Sequence, residues 1–170
     1  MFFFYQIIIS ILLIFSPIII VYRIFKKKED IKRFKEKFSL PTKSRIKGNL
    51  IWFHGASVGE IMSIIPIIKN YEKNKSIQKI LITSSTLSSS KIIKKFNFKK
   101  TIHQFYPIDH IILTKKFLNY WKPAVAIFIE SEIWPCMFKN IKEENIPLVL
   151  LNARITKKTF KRWLIIKNFS

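Results

Sequence analysis

Residues 52–61 read WFHGASVGEI, an apolar run that breaks at His54-Gly55 and resumes as a helical pattern at Val58, with Glu60 just inside the restart. A buried strand passing into a helix through a short turn of small residues is how a βαβ unit opens. Downstream the pattern repeats: short apolar runs alternate with longer segments of helical spacing. Strands are predicted near 49–54, 79–84, 102–106, 124–129 and 147–151. Helices are predicted near 58–72, 87–96, 110–121 and 134–144, with a last one from about 156 to 168. The fold class is therefore α/β, a Rossmann-like open parallel sheet whose right-handed crossovers bring every strand's carboxyl end to one edge.

That edge collects the polar residues. His54 to Glu60 follow the first strand, Ser84-Ser85-Thr86 the second, Pro107 and Asp109 the third, Glu130-Ser131-Glu132 with Trp134-Pro135 the fourth, and Asn152-Ala153-Arg154 the fifth. Ser57 and Glu60 fit the S-x-x-E capping box, a structural role. Gly55 and Gly59 add a second reading, since glycines at a helix amino terminus let a ligand approach free N–H groups. The G-x-x-x-G spacing lacks the third glycine of a dinucleotide fingerprint and the Gly-Lys-Ser/Thr of a phosphate loop. A carboxylate at Glu60 has the chemistry to accept a hydroxyl proton during nucleophilic attack. Glu130 and Glu132 either divide acid and base roles or cap the helix that Pro135 opens. Arg154 has the fork geometry to hold a phosphate or carboxylate, or is an ordinary surface arginine. Asp109 reads as a cap for the helix beginning near His110, and His54 as a structural histidine.

Upstream of the sheet lie 21 uncharged residues, Phe2–Tyr22, interrupted only by Gln6, Ser10, Ser16, Pro17 and tyrosine hydroxyls. At about 1.5 Å per residue this is long enough to cross a hydrocarbon layer of about 30 Å. No basic residue precedes it and no small-residue cleavage site follows, so it reads as a retained anchor, with a helix lying in the interface as the alternative. Arg23, Lys26, Lys27 and Lys28 come directly after it and place the carboxyl-terminal side in the cytoplasm by the positive-inside bias. Residues 23–39 carry eight Lys/Arg and three acids, with Ile31, Phe34 and Phe38 at helical spacing. They are expected to form a basic amphipathic helix that lies on an anionic membrane or docks on the domain.

The chain has 170 residues, 31 Lys+Arg against 10 Asp+Glu, and a formal net charge of +21, which favours anionic partners. Abundant Ile, Lys, Phe and Asn, residues of A/T-rich codons, give the lysine excess a second source. A lone cysteine, Cys136, excludes an internal disulfide, and three scattered histidines show no metal-ligand spacing, so no metal site is expected.

Taken together, WFHGASVGEI, YPIDH, IESEIWP and LVLLNARIT, in this order and at these separations, resemble the amino-terminal half of 3-deoxy-D-manno-octulosonic acid (Kdo) transferases. The resemblance implies a glycosyltransferase of the GT-B type, with two Rossmann-like domains facing a cleft. Such an enzyme moves Kdo from CMP-Kdo to the lipid A precursor, lipid IVA, in lipopolysaccharide core synthesis, with inversion and without metal or cofactor. It implies that Glu60 is the general base and that Gly55, Ser57, Gly59, Glu130, Glu132 and Arg154 shape the acceptor site. The implied organisation is an anchor helix over 1–22, a basic helix and connector over 23–48, and an acceptor-binding domain over 49–170. The donor-binding domain would then be absent from this chain, which either binds acceptor without completing transfer, as a truncated or split product, or works with a separate carboxyl-terminal polypeptide. The implied location is the cytoplasmic face of the inner membrane. Two glycines usual in the family before the first strand are replaced by Lys27 and Ser39, and TSSTLSSS lacks the family's Thr-rich, glycine-ending form. An alternative from another class is a non-catalytic, membrane-tethered basic module for anionic lipid or nucleic acid. Nucleic acid is the weaker partner, because no RNA- or DNA-reading motif accompanies the charge.

Overall fold

The computed structural model describes residues 2–45, 47–130 and 133–153. The expectations for Glu132, Arg154 and a helix over 156–168 lie outside the described residues. Eleven elements follow in order among those described. Helix α1 spans Phe2–Phe25, and a short 3-10 helix spans Phe34–Phe38. Then β1 (Leu50–His54), α2 (Val58–Lys73), β2 (Lys79–Ser84), α3 (Leu87–Lys94), β3 (Thr101–Phe105), α4 (Ile111–Trp121), β4 (Val125–Ile129), α5 (Pro135–Glu143) and β5 (Leu148–Leu151) alternate without exception.

All five strands are parallel, in the order β3-β2-β1-β4-β5. This is the doubly wound arrangement expected from the sequence. The winding reverses at β1, which has β2 on one side and β4 on the other, so the crevice of the sheet opens between the carboxyl ends of β1 and β4. Each face is apolar and is covered over β1, β2 and β4, as parallel sheets require. On one side Trp52, Leu81, Ala126 and Phe128 pack with Phe117, Trp121 and Met137 from α4 and α5. On the other, Phe53, Ile80, Ile82 and Ile129 pack with Ile61, Ile64, Ile68 and Ile93 from α2 and α3. Trp52 is the centre of the first layer, fully buried, with Phe117 and Phe128 rings at 4.9 and 5.1 Å.

The segment between α1 and β1 departs from the continuous amphipathic helix expected over 23–39. Lys27 and Ser39 have φ of 54° and 55°, a left-handed backbone that ends a helix rather than continuing it, and only Phe34–Phe38 coil again, as 3-10. These are the two positions at which the sequence resemblance led glycine to be expected, and a left-handed backbone is one that glycine adopts without strain. The segment is a strap along the edge strand β3. Glu36 is fully buried and accepts from Arg33 Nε and Nη2 (both 2.9 Å), from the Thr42 hydroxyl and from the Phe105 N–H at 2.7 Å. Arg33 also donates to His103 O at 2.8 Å and lies 4.7 Å over the Phe105 ring. A buried ion pair thus satisfies the backbone groups that a neighbouring strand would otherwise take.

Candidate functional site

At the end of β1 the backbone turns over Gly55 and α2 begins. Ser57 is the N-cap, and its hydroxyl accepts the Glu60 N–H at 3.2 Å. The Glu60 carboxylate reaches back and its Oε2 accepts the Ala56 N–H at 2.8 Å. The capping reading of S-x-x-E is therefore present, displaced by one residue, since the glutamate meets the amide before the cap rather than that of the cap itself. Glu60 is 8% exposed, and its second carboxylate oxygen takes no hydrogen bond among the described residues. One oxygen holds the side chain in place while the other remains able to accept a proton.

The two glycines differ in what they do. A Cβ on Gly55 would lie 3.1 Å from Ile129 Cδ1 and 3.2 Å from both Glu60 Cβ and Ile61 Cδ1, so its missing side chain lets β1, β4 and α2 close on one another. This packing sets where Glu60 stands relative to the end of β4. A Cβ on Gly59 would meet nothing nearer than Ser57 Oγ at 3.9 Å. Gly59 is exposed in the first turn of α2, leaving the helix amino terminus open to a ligand.

Across the crevice, Glu130 follows β4 directly. Its N–H still pairs with Leu151 O at 2.8 Å, but its φ is 60° and its side chain is exposed. A glutamate in the left-handed region costs about 1–2 kcal/mol. Asn152, after β5, has the same hand at φ 57°. The structure therefore brings Glu60, Ser57 and Gly59 from β1 and α2, and Glu130 from β4, to the two lips of the switch point.

Asp109 does not cap α4. His110 does, accepting the Ile112 N–H on Nδ1 at 3.3 Å. The Asp109 carboxylate is 2% exposed and instead accepts from the Cys136 and Met137 N–H groups at 3.1 and 2.8 Å, and from the Tyr5 hydroxyl at 2.6 Å. Its place follows from α5, whose N-cap residue is Trp134 and has no oxygen to offer. The free N–H groups of α5 must be met from elsewhere, and that missing cap was the signal in the sequence for a carboxylate in space. Asp109 so fixes the start of α5. Cys136, beneath it, has its thiol pushed up to about 11 by burial and by the Asp109 charge.

His54 is the structural histidine expected. It is fully buried, bonds Thr83 Oγ1 through Nδ1 at 2.9 Å and stacks on Tyr106 at 3.9 Å. Burial pulls its pKa down to about 3 against the opposing hydrogen bond to Thr83, so the ring is neutral. His103 is likewise held down, to about 3, by burial and then by the Arg33 and Lys94 charges. Among the described residues no group of three or more His, Cys, Asp or Glu is placed to hold a metal ion.

Residues 32–170 match a family model described as 3-deoxy-D-manno-octulosonic-acid transferase (kdotransferase). The chain is 44% identical over 161 residues to the 3-deoxy-D-manno-octulosonic acid transferase of Rickettsia bellii, covering 90% of this chain and 38% of that protein. It is 40% identical over 151 residues to a probable mitochondrial 3-deoxy-D-manno-octulosonic acid transferase of Arabidopsis thaliana, covering 87% and 34%. With the Haemophilus influenzae enzyme of the same name the identity is 29% over 117 residues, 69% of this chain and 27% of the relative. The chain thus spans about a third of the length of the curated relatives it matches. The family model, matched over most of the chain, shows that the chain belongs to the 3-deoxy-D-manno-octulosonic acid transferase family.

Proposed function

We propose that this domain is the acceptor-binding half of a Kdo glycosyltransferase, carrying the general base for transfer from CMP-Kdo to the lipid A precursor at the cytoplasmic face of the inner membrane. The observation that supports it most is the position of Glu60. It is a buried carboxylate, anchored by one oxygen, on the lip of the crevice that a doubly wound sheet offers to ligands. An acceptor sugar hydroxyl seated over Gly59 donates its proton to the unengaged Glu60 oxygen as its own oxygen attacks the anomeric carbon of Kdo. CMP leaves on the opposite side, which inverts that centre. Glu130, which follows β4 beside β1, is proposed to accept hydrogen bonds from the acceptor's other hydroxyls. Glu132 and Arg154 are proposed to complete the acceptor site, in line with the family motifs that they match. The sugar nucleotide is proposed to bind in the part of the relatives that this chain does not cover, supplied as a further domain or a separate polypeptide.

The test joins this chain to the uncovered carboxyl-terminal part of the Rickettsia bellii relative and measures Kdo transfer to lipid IVA. Glu60→Gln should retain lipid IVA binding and lose transfer by roughly 100- to 10,000-fold, the usual worth of a positioned base. Full activity in that variant would remove Glu60 from the mechanism. Binding to DNA equal to that for lipid IVA, both abolished by salt, would favour a basic tether instead.

A further inference from the structure

The strap covers only part of β3. Ile80 N–H donates to Lys100 O at 3.1 Å and Tyr106 N–H to Ser84 O at 3.0 Å, so Lys100, Ile102, Gln104 and Tyr106 turn their main-chain groups toward β2. Those of Thr101, His103 and Phe105 turn outward. Glu36 takes the Phe105 N–H and Arg33 takes His103 O. The Thr101 N–H goes to the Glu72 carboxylate, together with the N–H groups of Lys99 and Lys100. Past Thr42 the strap leaves this margin for α4, where the Tyr120 hydroxyl donates to Lys43 O at 2.9 Å and Arg45 Nε donates to Trp121 O at 2.8 Å. Two outward groups are left without a partner among the described residues: the Thr101 carbonyl, an acceptor, and the His103 N–H, a donor.

They open into a cavity of about 370 Å³ between the strap and the carboxyl end of α3. Lys43 stands on its strap side and Lys94, the last residue of α3, on the other. Both are exposed, no acidic residue lines the cavity, and neither lysine pairs with an acid among the described residues. Arg33 also lines it, but its guanidinium is spent on Glu36, Ser90 and His103, so the uncommitted charge belongs to the two lysines. Ile93 and Phe98 supply an apolar wall.

A carbonyl and an N–H two residues apart on the outer margin of a strand are what a single residue of a parallel neighbour needs, donating to the first and accepting from the second. A small anion would suit the lysines and the His103 N–H, but would face the Thr101 carbonyl oxygen. A peptide suits all of them: its amides meet both main-chain groups, acidic side chains reach the lysines, and an apolar one meets the wall. We propose that this stretch of β3 is a docking site for an acidic polypeptide segment in extended form, paired with Thr101 and His103 as a short added strand between Lys43 and Lys94. The site lies on the outer margin of the sheet, away from the crevice between β1 and β4, so a protein partner held there leaves the crevice open. The inference is independent of the sugar chemistry.

The experiment titrates the full isotope-labelled chain, in neutral detergent, with the peptide acetyl-Glu-Val-Glu-Val-Glu-amide. The His103 amide resonance should shift and its hydrogen exchange should slow, and binding should weaken as salt is raised. The same peptide with its amides N-methylated cannot donate to the Thr101 carbonyl and should bind at least tenfold more weakly, a comparison that leaves the protein untouched. Lys43→Glu with Lys94→Glu should also cost at least tenfold. Lys115→Glu with Lys116→Glu, an exposed pair on α4, makes the same change in net charge and should stay within twofold of the unaltered chain. An unmoved His103 amide, or an N-methylated peptide that binds as tightly as its parent, would overturn the proposal. So would an α4 pair that weakens binding as much as the cavity pair, since the attraction would then be that of the whole basic chain. Inorganic pyrophosphate that shifts the same amide and displaces the peptide would make this a small-anion site instead.

Discussion

Acidification should destabilise this domain well above the range in which carboxylates protonate, because two of its histidines are folded as neutral rings. His54 and His103 fall from the ordinary 6.5 to about 3 on folding, mainly through burial. Their folded values are depressed, so below pH 6.5 the unfolded chain binds protons that the folded chain refuses. Stability therefore rises with pH and is lost as pH falls. Going from pH 6 to pH 5, each histidine forfeits about 1.2 kcal/mol, and the pair about 2.4 kcal/mol. Glu72 also has a lowered pKa: burial pushes it upward, but the Thr101 hydroxyl and the Lys100 and Lys99 amides outweigh that. Its stabilisation is lost in the same direction, yet lower on the pH scale, since an unfolded glutamate titrates near 4.5. The interval between pH 6 and pH 5 thus isolates the imidazoles. Urea unfolding of the chain in mild detergent, followed by tryptophan fluorescence at both pH values, measures the difference. His103→Asn should halve it. A loss under about 1 kcal/mol, or a His103→Asn variant with an unchanged pH slope, would refute the assignment of both rings as buried and neutral.

Three further outcomes follow from the packing. Gly55→Ala places a methyl against Ile129, Ile61 and Glu60, and should cost about 1–3 kcal/mol in urea unfolding while speeding hydrogen exchange at the Ala56 amide that Glu60 now holds. Glu36→Ala leaves the Arg33 guanidinium and the Phe105 N–H without their acceptor and should cost about 3–5 kcal/mol, with exchange protection lost first along β3. Lys27→Gly relieves a left-handed backbone at an exposed site and should raise stability by a few tenths to about 1 kcal/mol, read as a higher urea midpoint at constant slope.

The sheet was readable because each strand is a short apolar run closed by a small or polar residue, and burial on both faces requires that composition. Glu60 was readable twice over, as a cap from its spacing with Ser57 and as a crevice residue from its place after β1. The strap was not. Arg33 and Glu36 have the composition of a solvated helix, and only the edge of β3, some 70 residues away, turns them into a buried pair. Asp109 was misread for a related reason: local proximity favoured α4, whereas the donors lacking a cap were in α5. The left-handed turn at Glu130 left no trace in the sequence, since a glutamate gives no sign of φ 60°.

The ion pair on β3 has a consequence at the other end of the sheet. Glu36 and Arg33 occupy Phe105 N–H and His103 O, so these two groups of that border are already taken. On β5, by contrast, Leu148, Val149 and Leu150 are 37%, 44% and 43% exposed, and among the described residues no strand pairs with its outer side. The two margins of the sheet therefore differ among the described residues: the strap covers part of one, and the other has no strand beside it. Among the described residues, a polypeptide that pairs with this sheet therefore meets a partly covered edge at β3 and an open one at β5.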